Sequence, residues 1–172
     1  MFAVLALAAT ARTTPDATTA DLKVRTTTDV TIASEVVQAF RPGVNSTLTA
    51  IPGIKVGHHT LTERPTGCTV VLIEGGATAS VDVRGAAPAT RDTDLLNPAK
   101  MVEQIQGIAL SGGSIFGLSA ADGVLRYLEE KNVGIAYGGR HIPIVPGASI
   151  FDLGVGDAAI RPTADCGYRA AQ

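Results

Sequence analysis

Ser111, Gly112, Gly113 and Ser114 stand where the apolar run Ile108–Leu110 gives way to a long amphipathic pattern. Such a turn can grip a phosphate, present a nucleophilic serine, or offer main-chain N–H groups to an anion. A dinucleotide fingerprint requires G-x-G-x-x-G; Gly112, Gly113 and Gly117 are present, but position 114 is Ser, so the pattern fails. A phosphate-binding P-loop requires Lys after its last glycine, and that position holds Leu118, which leaves nucleotide phosphates without their main cation. A nucleophile elbow, G-x-S-x-G, would need glycine where Phe116 stands. Its partners would be Asp152 and His141, which follow Ser114 in the reverse of the order that fold uses. Two readings survive. The N–H groups of Gly112, Gly113 and Ser114 precede a helix and could hold an anion or a developing oxyanion. Alternatively, Ser111 or Ser114 caps the helix and the glycines allow close strand–helix packing, which asks less of the residues.

The remaining chemistry-bearing residues are scattered. Cys68 and Cys166 are far apart without a CxxC partner, so no zinc site is expected and two buried free thiols are, with a single disulfide as the alternative if the protein is exported. His58 and His59 are adjacent and should point to opposite faces of a strand, while His141 is alone, so the histidines form no ligand set. No metal or other cofactor is expected. A net charge of −2 and the lack of a long basic run exclude nucleic acid or an anionic membrane surface as the main partner.

The elements that must position these residues can be read from periodicity. With 45% hydrophobic and 17% charged residues the chain is globular in composition, and without Trp its core must come from Ala, Val, Ile and Leu. "GIKVGHH" alternates like a half-buried strand. "CTVVLIE" reads as a buried strand ending in a tight turn at Gly75–Gly76, and "TASVDVRG" alternates again, so the two could pair as a hairpin. Asn97–Pro98 reads as the start of a short helix, "AKMVEQI". A longer helix is predicted over Ser114–Lys131, with Leu118, Ala121, Leu125 and Leu128 at helical spacing, Ala120, Val124 and Tyr127 widening the stripe, and Asp122 pairing with Arg126. "VGIAYGG", "HIPIVP" and "ASIFDLGVG" supply further short extended segments. Strands mixed with two helices predict a layered α/β fold.

The first 47 residues differ in character. "FAVLALAATA" is too short for a membrane-spanning helix and lacks a basic n-region, so it is read as a truncated signal peptide or an alanine-rich disordered end. A signal peptide would imply a periplasmic or secreted protein, and otherwise a cytoplasmic one. The Thr-rich stretch that follows is read as linker, with one short helix at "IASEVVQAF", and the folded part is placed at 48–172.

Four ordered segments, "TAIPGIKVGHHT", "GCTVVLIEGGATASVDVRGAAPATRDTDLLNP", "IALSGGSIFGLSAADGVLRYLEE" and "HIPIVPGASIFDL", resemble the DmpA-type peptidase family, the L-aminopeptidase/D-esterase group. The resemblance covers roughly Leu48 to Gln172 and implies a layered α/β sandwich, a homo-oligomer, and a hydrolase of peptide, amide or ester bonds. In such enzymes a precursor cuts itself before a Ser or Thr, which becomes an N-terminal nucleophile. The corresponding Asn–Thr–Thr-like motif would lie downstream of Gln172; Asn45–Ser46–Thr47 precedes the first family segment and is not it. The chain therefore resembles an incomplete part of the larger, N-terminal subunit, without a catalytic residue and needing a downstream nucleophile-bearing partner. Some relatives carry Tyr near the oxyanion where Phe116 stands and Lys near Asp165, so neither role transfers. Gly112, Gly113, Ser114 and Phe116 are expected to shape the substrate pocket. Asp82 and Arg84 are candidates for the same region, with a surface ion pair as the simpler reading. Asp92, Asp94 and Asp152 are the carboxylates available to a substrate ammonium group. The contrasting functions are a non-catalytic α/β module that holds a small anion at the glycine turn, and a truncated gene product with no function.

Overall fold

The computed structural model describes the strand Val4–Ala8 and residues 47–172. A six-stranded sheet is built on one long strand, β3 (Gly67–Asp82). Its first half pairs antiparallel with β2 (Ile54–Thr60) on one side and with β5 (Ile105–Ser111) on the other; its second half pairs with β1 (Val4–Ala8). Beyond β5 lie β8 (Gly147–Ser149), parallel to it, and β4 (Thr90–Arg91) at the edge. A separate hairpin joins β6 (Ile135–Tyr137) and β7 (Arg140–Ile142). The helix expected at "IASEVVQAF" lies outside the described residues.

The α/β character follows from how alternation along β3 and β5 sorts side chains. Cys68, Val70, Leu72 and Ala109 face two helices, α1 (Ala120–Glu130) and α2 (Ala164–Ala171), and pack with Ala120, Ala121, Val124, Leu128 and Ala170. Val71, Ile73 and Ile108 face the other way and pack with Ile54, Ala77, Leu96 and Ile105. The two helices cross on small residues: a Cβ at Gly123 would collide with the Ala164 carbonyl, and one at Gly167 with the Ala120 carbonyl. Cys68 and Cys166 form a disulfide that ties the start of β3 to α2, so the free-thiol expectation is corrected: spacing along the chain said nothing of the register that brings their Cα atoms to 6.2 Å.

Four other local expectations are revised. Gly75–Gly76 does not reverse the chain, so the expected hairpin is absent; β3 continues through a bulge with Gly76 at φ +78°, and its register on β5 shifts between Leu72 and Ala77. Partners on both sides hold the extended path, and glycine absorbs the irregularity. No helix follows Pro98. Asn97 Oδ1 accepts the Ala99 N–H at 2.9 Å and the Asn97 carbonyl accepts that of Lys100 at 2.8 Å, so the side chain closes a turn. The last residue of the window "AKMVEQI", Ile105, is buried as the first residue of β5, and the six before it have little packing to offset helix nucleation, with Met101 95% exposed. The long helix is real only from Ala120; Ser114–Ser119 is a 3-10 helix. Asp122 pairs with Arg91 at 2.5 Å, and Arg126 instead approaches Glu130 and lies over the Tyr168 ring, because β4 brings a cation closer than the helix's own next turn. No described helix is long and apolar enough to cross a membrane.

Candidate active site

The topology gathers three segments at one end of the sheet. β5 and β8 run parallel, so both deliver their outgoing loops there, and β3, antiparallel to β5, begins there. The result is an open trough of about 600 Å³ lined by Thr66, Thr69, Leu110, Gly112, Ile150 and Asp152, with His58 and His59 on its β2 side. Leu110 and Ile150 are 40% and 62% exposed, and Ile115, Phe116 and Phe151 continue the exposed apolar surface. Large apolar side chains left open beside polar groups are the usual composition of a binding or contact surface.

The glycine turn is closed by its own fold. The Gly112 N–H donates to the Gly67 carbonyl at 3.0 Å, the Gly113 N–H to Asp152 Oδ1 at 2.8 Å, and the Ser114 N–H to the Ile150 carbonyl at 2.9 Å. All three amides that could have faced an anion are thus engaged within the fold, by acceptors at the start of β3 and in the segment after β8. Neither serine caps a helix. Ser111 Oγ donates to the Gly117 carbonyl at 2.8 Å, while Ser114 adopts φ +56°. Gly113 lies at φ +84°, a conformation that suits glycine, and a Cβ there would come within 3.1 Å of Pro162 Cδ. At Gly112 an added Cβ would meet Asp152 Oδ2 and Thr66 Oγ.

Behind the turn lies a network that no local pattern announced. The Arg64 side chain is 0% exposed. Its Nε donates to the Val155 carbonyl at 2.6 Å, Nη1 to the Ile160 carbonyl at 2.9 Å, and Nη2 to both Asp152 Oδ1, at 2.9 Å, and the Asp152 carbonyl. Thr66 Oγ donates to Asp152 Oδ2 at 2.6 Å. Burial opposes ionisation of Asp152, but hydrogen bonds from Thr66, the Gly113 N–H and Arg64, with the Arg64 charge, outweigh it and hold the carboxyl below its ordinary range. Arg64, Thr66, Leu110 and Ile150 were missed as site residues. An Arg before Pro reads as solvent loop, and its partner lies 88 residues away.

The other candidates are dispersed. Phe116 flanks the turn, 51% exposed, with the Arg161 guanidinium 3.9 Å from its ring centroid. Asp82 and Arg84 form an exposed pair at 2.6 Å at the far end of β3, Asp82 being fourteen residues along the strand from Cys68; at ~3.3 Å per residue the pair is tens of ångströms from the turn. Of the three carboxylates considered for an ammonium group, only Asp152 lines the trough; Asp92 lies beside Arg91, and Asp94 lines a different hollow near Ser80 and Asn97. His141 sits on the separate β6–β7 hairpin, so Ser114, His141 and Asp152 do not assemble as a triad. His58 Nδ1 and Thr69 Oγ are 2.8 Å apart. Among the described residues no three of His, Cys, Asp and Glu gather as a metal cluster.

Comparison with known proteins places this chain in a family. The chain is 50% identical over 135 residues to an uncharacterized aminopeptidase of Mycobacterium leprae, covering 74% of this chain and 37% of that one. It is 48% identical over 133 residues to an uncharacterized aminopeptidase of Mycobacterium tuberculosis, covering 73% and 39%. A 6-aminohexanoate-oligomer endohydrolase of Kocuria is 34% identical over 119 residues, 69% of this chain and 31% of the relative. The chain thus spans about two fifths of the length of the mycobacterial relatives. Residues 46–171, which include every strand that borders the trough, match peptidase family S58, and the chain belongs to that family.

Proposed function

We propose that this chain is the N-terminal part of a self-processing aminopeptidase or amidohydrolase, and that the trough beside Gly112 is one wall of its substrate site. The observation that carries the reading is the coincidence of the family match with an open, partly apolar trough whose glycine-turn serine, Ser111, has no base beside it. Ser111 Oγ is committed to a main-chain carbonyl, and Asp152 is neutralised by Arg64. A hydroxyl becomes a competent nucleophile only with a base beside it, and an N-terminal Ser or Thr carries that base as its own α-amino group. The nucleophile then comes from sequence after Gln172, exposed when the precursor cuts itself. The downstream part covers Leu110, Ile150 and Phe151 and completes a layered sandwich. The substrates are peptides, amides or esters with a free amino end, and the assembled protein is a homo-oligomer.

The test is to express this chain in one polypeptide with the sequence that follows it. Mass spectrometry and N-terminal sequencing should find two subunits, the second beginning with Ser or Thr. An intact polypeptide that nevertheless hydrolyses aminoacyl p-nitroanilides would refute self-processing.

A further inference from the structure

Gly113 and Ser114 are consecutive left-handed residues, at φ +84° and +56°. A non-glycine residue in that region is strained and persists only where its surroundings hold it. Here two hydrogen bonds hold it, from the Gly113 N–H to Asp152 Oδ1 and from the Ser114 N–H to the Ile150 carbonyl. Both acceptors belong to the segment after β8. That segment is itself fixed by the fully buried Arg64, whose guanidinium reaches the carbonyls of Asp152, Val155 and Ile160. Arg64 and Thr66 stand on the connection between β2 and β3, so one ion pair locks three segments that meet at the trough.

We propose that Asp152 is a positioning residue, clamped by Arg64 and Thr66, that sets the Gly112–Phe116 turn and the Ile150 wall of the substrate trough, and that it does not receive the substrate's ammonium group. Each carboxylate oxygen already accepts at least one hydrogen bond, Oδ1 from Arg64 and Gly113 and Oδ2 from Thr66. The adjacent guanidinium cancels the charge that would attract a second cation. The assignment of the wall to a substrate rests on the hydrolase reading above; the clamp on the turn does not.

The experiment uses the complete, self-processed protein with Asp152→Asn and Thr66→Val. Activity is measured on an aminoacyl p-nitroanilide and on its desamino analogue, which lacks the ammonium group, and exchange of the Gly113 amide is followed by NMR. Asn keeps an acceptor for Gly113 but loses the charge. Both variants should lower kcat on the two substrates by similar factors, on the order of 10–100-fold for a displaced wall, and should speed Gly113 exchange. A rise in KM confined to the amine substrate in Asp152→Asn would make Asp152 the ammonium site and overturn the proposal. Unchanged Gly113 exchange in both variants would also overturn it. If the parent protein hydrolyses neither substrate, the hydrolase reading fails, and the exchange measurement alone decides whether the clamp exists.

Discussion

Removing the Cys68–Cys166 bond should cost this fold a large share of its stability. The bond closes a chain segment with a sequence separation of 98. In the chain-entropy treatment, a loop of about 100 residues confers roughly 4.7 kcal/mol at 25 °C by restricting the unfolded ensemble. What the bond secures is specific: α2 is only eight residues long, and Cys166 is its anchor between β3 and the small-residue crossing with α1. A helix that short has little stability of its own. Against a typical total of about 5–15 kcal/mol, a loss of about 3–5 kcal/mol would leave the reduced chain marginal. The assay is urea unfolding of the oxidised chain, of the chain in a dithiol reductant, and of the Cys68→Ala/Cys166→Ala double variant. Reduced and double-variant proteins should agree with each other and show a steeper denaturant dependence, as their unfolded states expose more surface. A difference below about 1 kcal/mol would refute the loop-closure account. Two thiols titrating in the denatured, unreduced chain would refute the bond itself.

Two further outcomes follow from the turn and its clamp. Gly113→Val should destabilise by about 2–5 kcal/mol, joining left-handed strain to overpacking against Pro162; an unchanged thermal midpoint would refute this. Because the Asp152 carboxyl is held below its ordinary value when folded, its contribution is present in full above the unfolded pKa, about 4, and is lost as pH falls through the folded value. Urea midpoints between about pH 5 and pH 2 should therefore fall more steeply for the parent than for Asp152→Asn, and parallel curves would contradict the clamp.

What the sequence could reveal was set by how local each signal is. The stripe around Val124 and Leu128 repeats within one helix, and both residues are fully buried. The continuous apolar run "CTVVLIE" is likewise a local signal, and it forms a strand with buried residues on both faces. Gly75–Gly76 misled because a glycine pair serves a turn or a bulge equally well, and only the neighbouring strands decide. The turn at Asn97 misled because a side-chain oxygen can cap a helix or replace it. Asp122 found Arg91 rather than Arg126 through a strand pairing that helical spacing cannot express. At the site, the glycine turn was legible as a place but not in its function. Its three N–H groups are spent on acceptors at Gly67, Ile150 and Asp152, and the buried cation behind them comes from Arg64. Those contacts are products of sheet order, which residue spacing does not encode.

The proposed function requires this chain to shape a hydrolytic site whose nucleophile comes from elsewhere. The most direct measurement is p-nitroaniline release from aminoacyl p-nitroanilides by the purified 172-residue chain, its Ser111→Ala and Ser114→Ala variants, and the polypeptide extended past Gln172. The account predicts no turnover by the chain or its variants and turnover by the extended, self-processed protein. Release by the 172-residue chain that disappears in Ser111→Ala or Ser114→Ala would contradict it, since the nucleophile would then lie in the glycine turn.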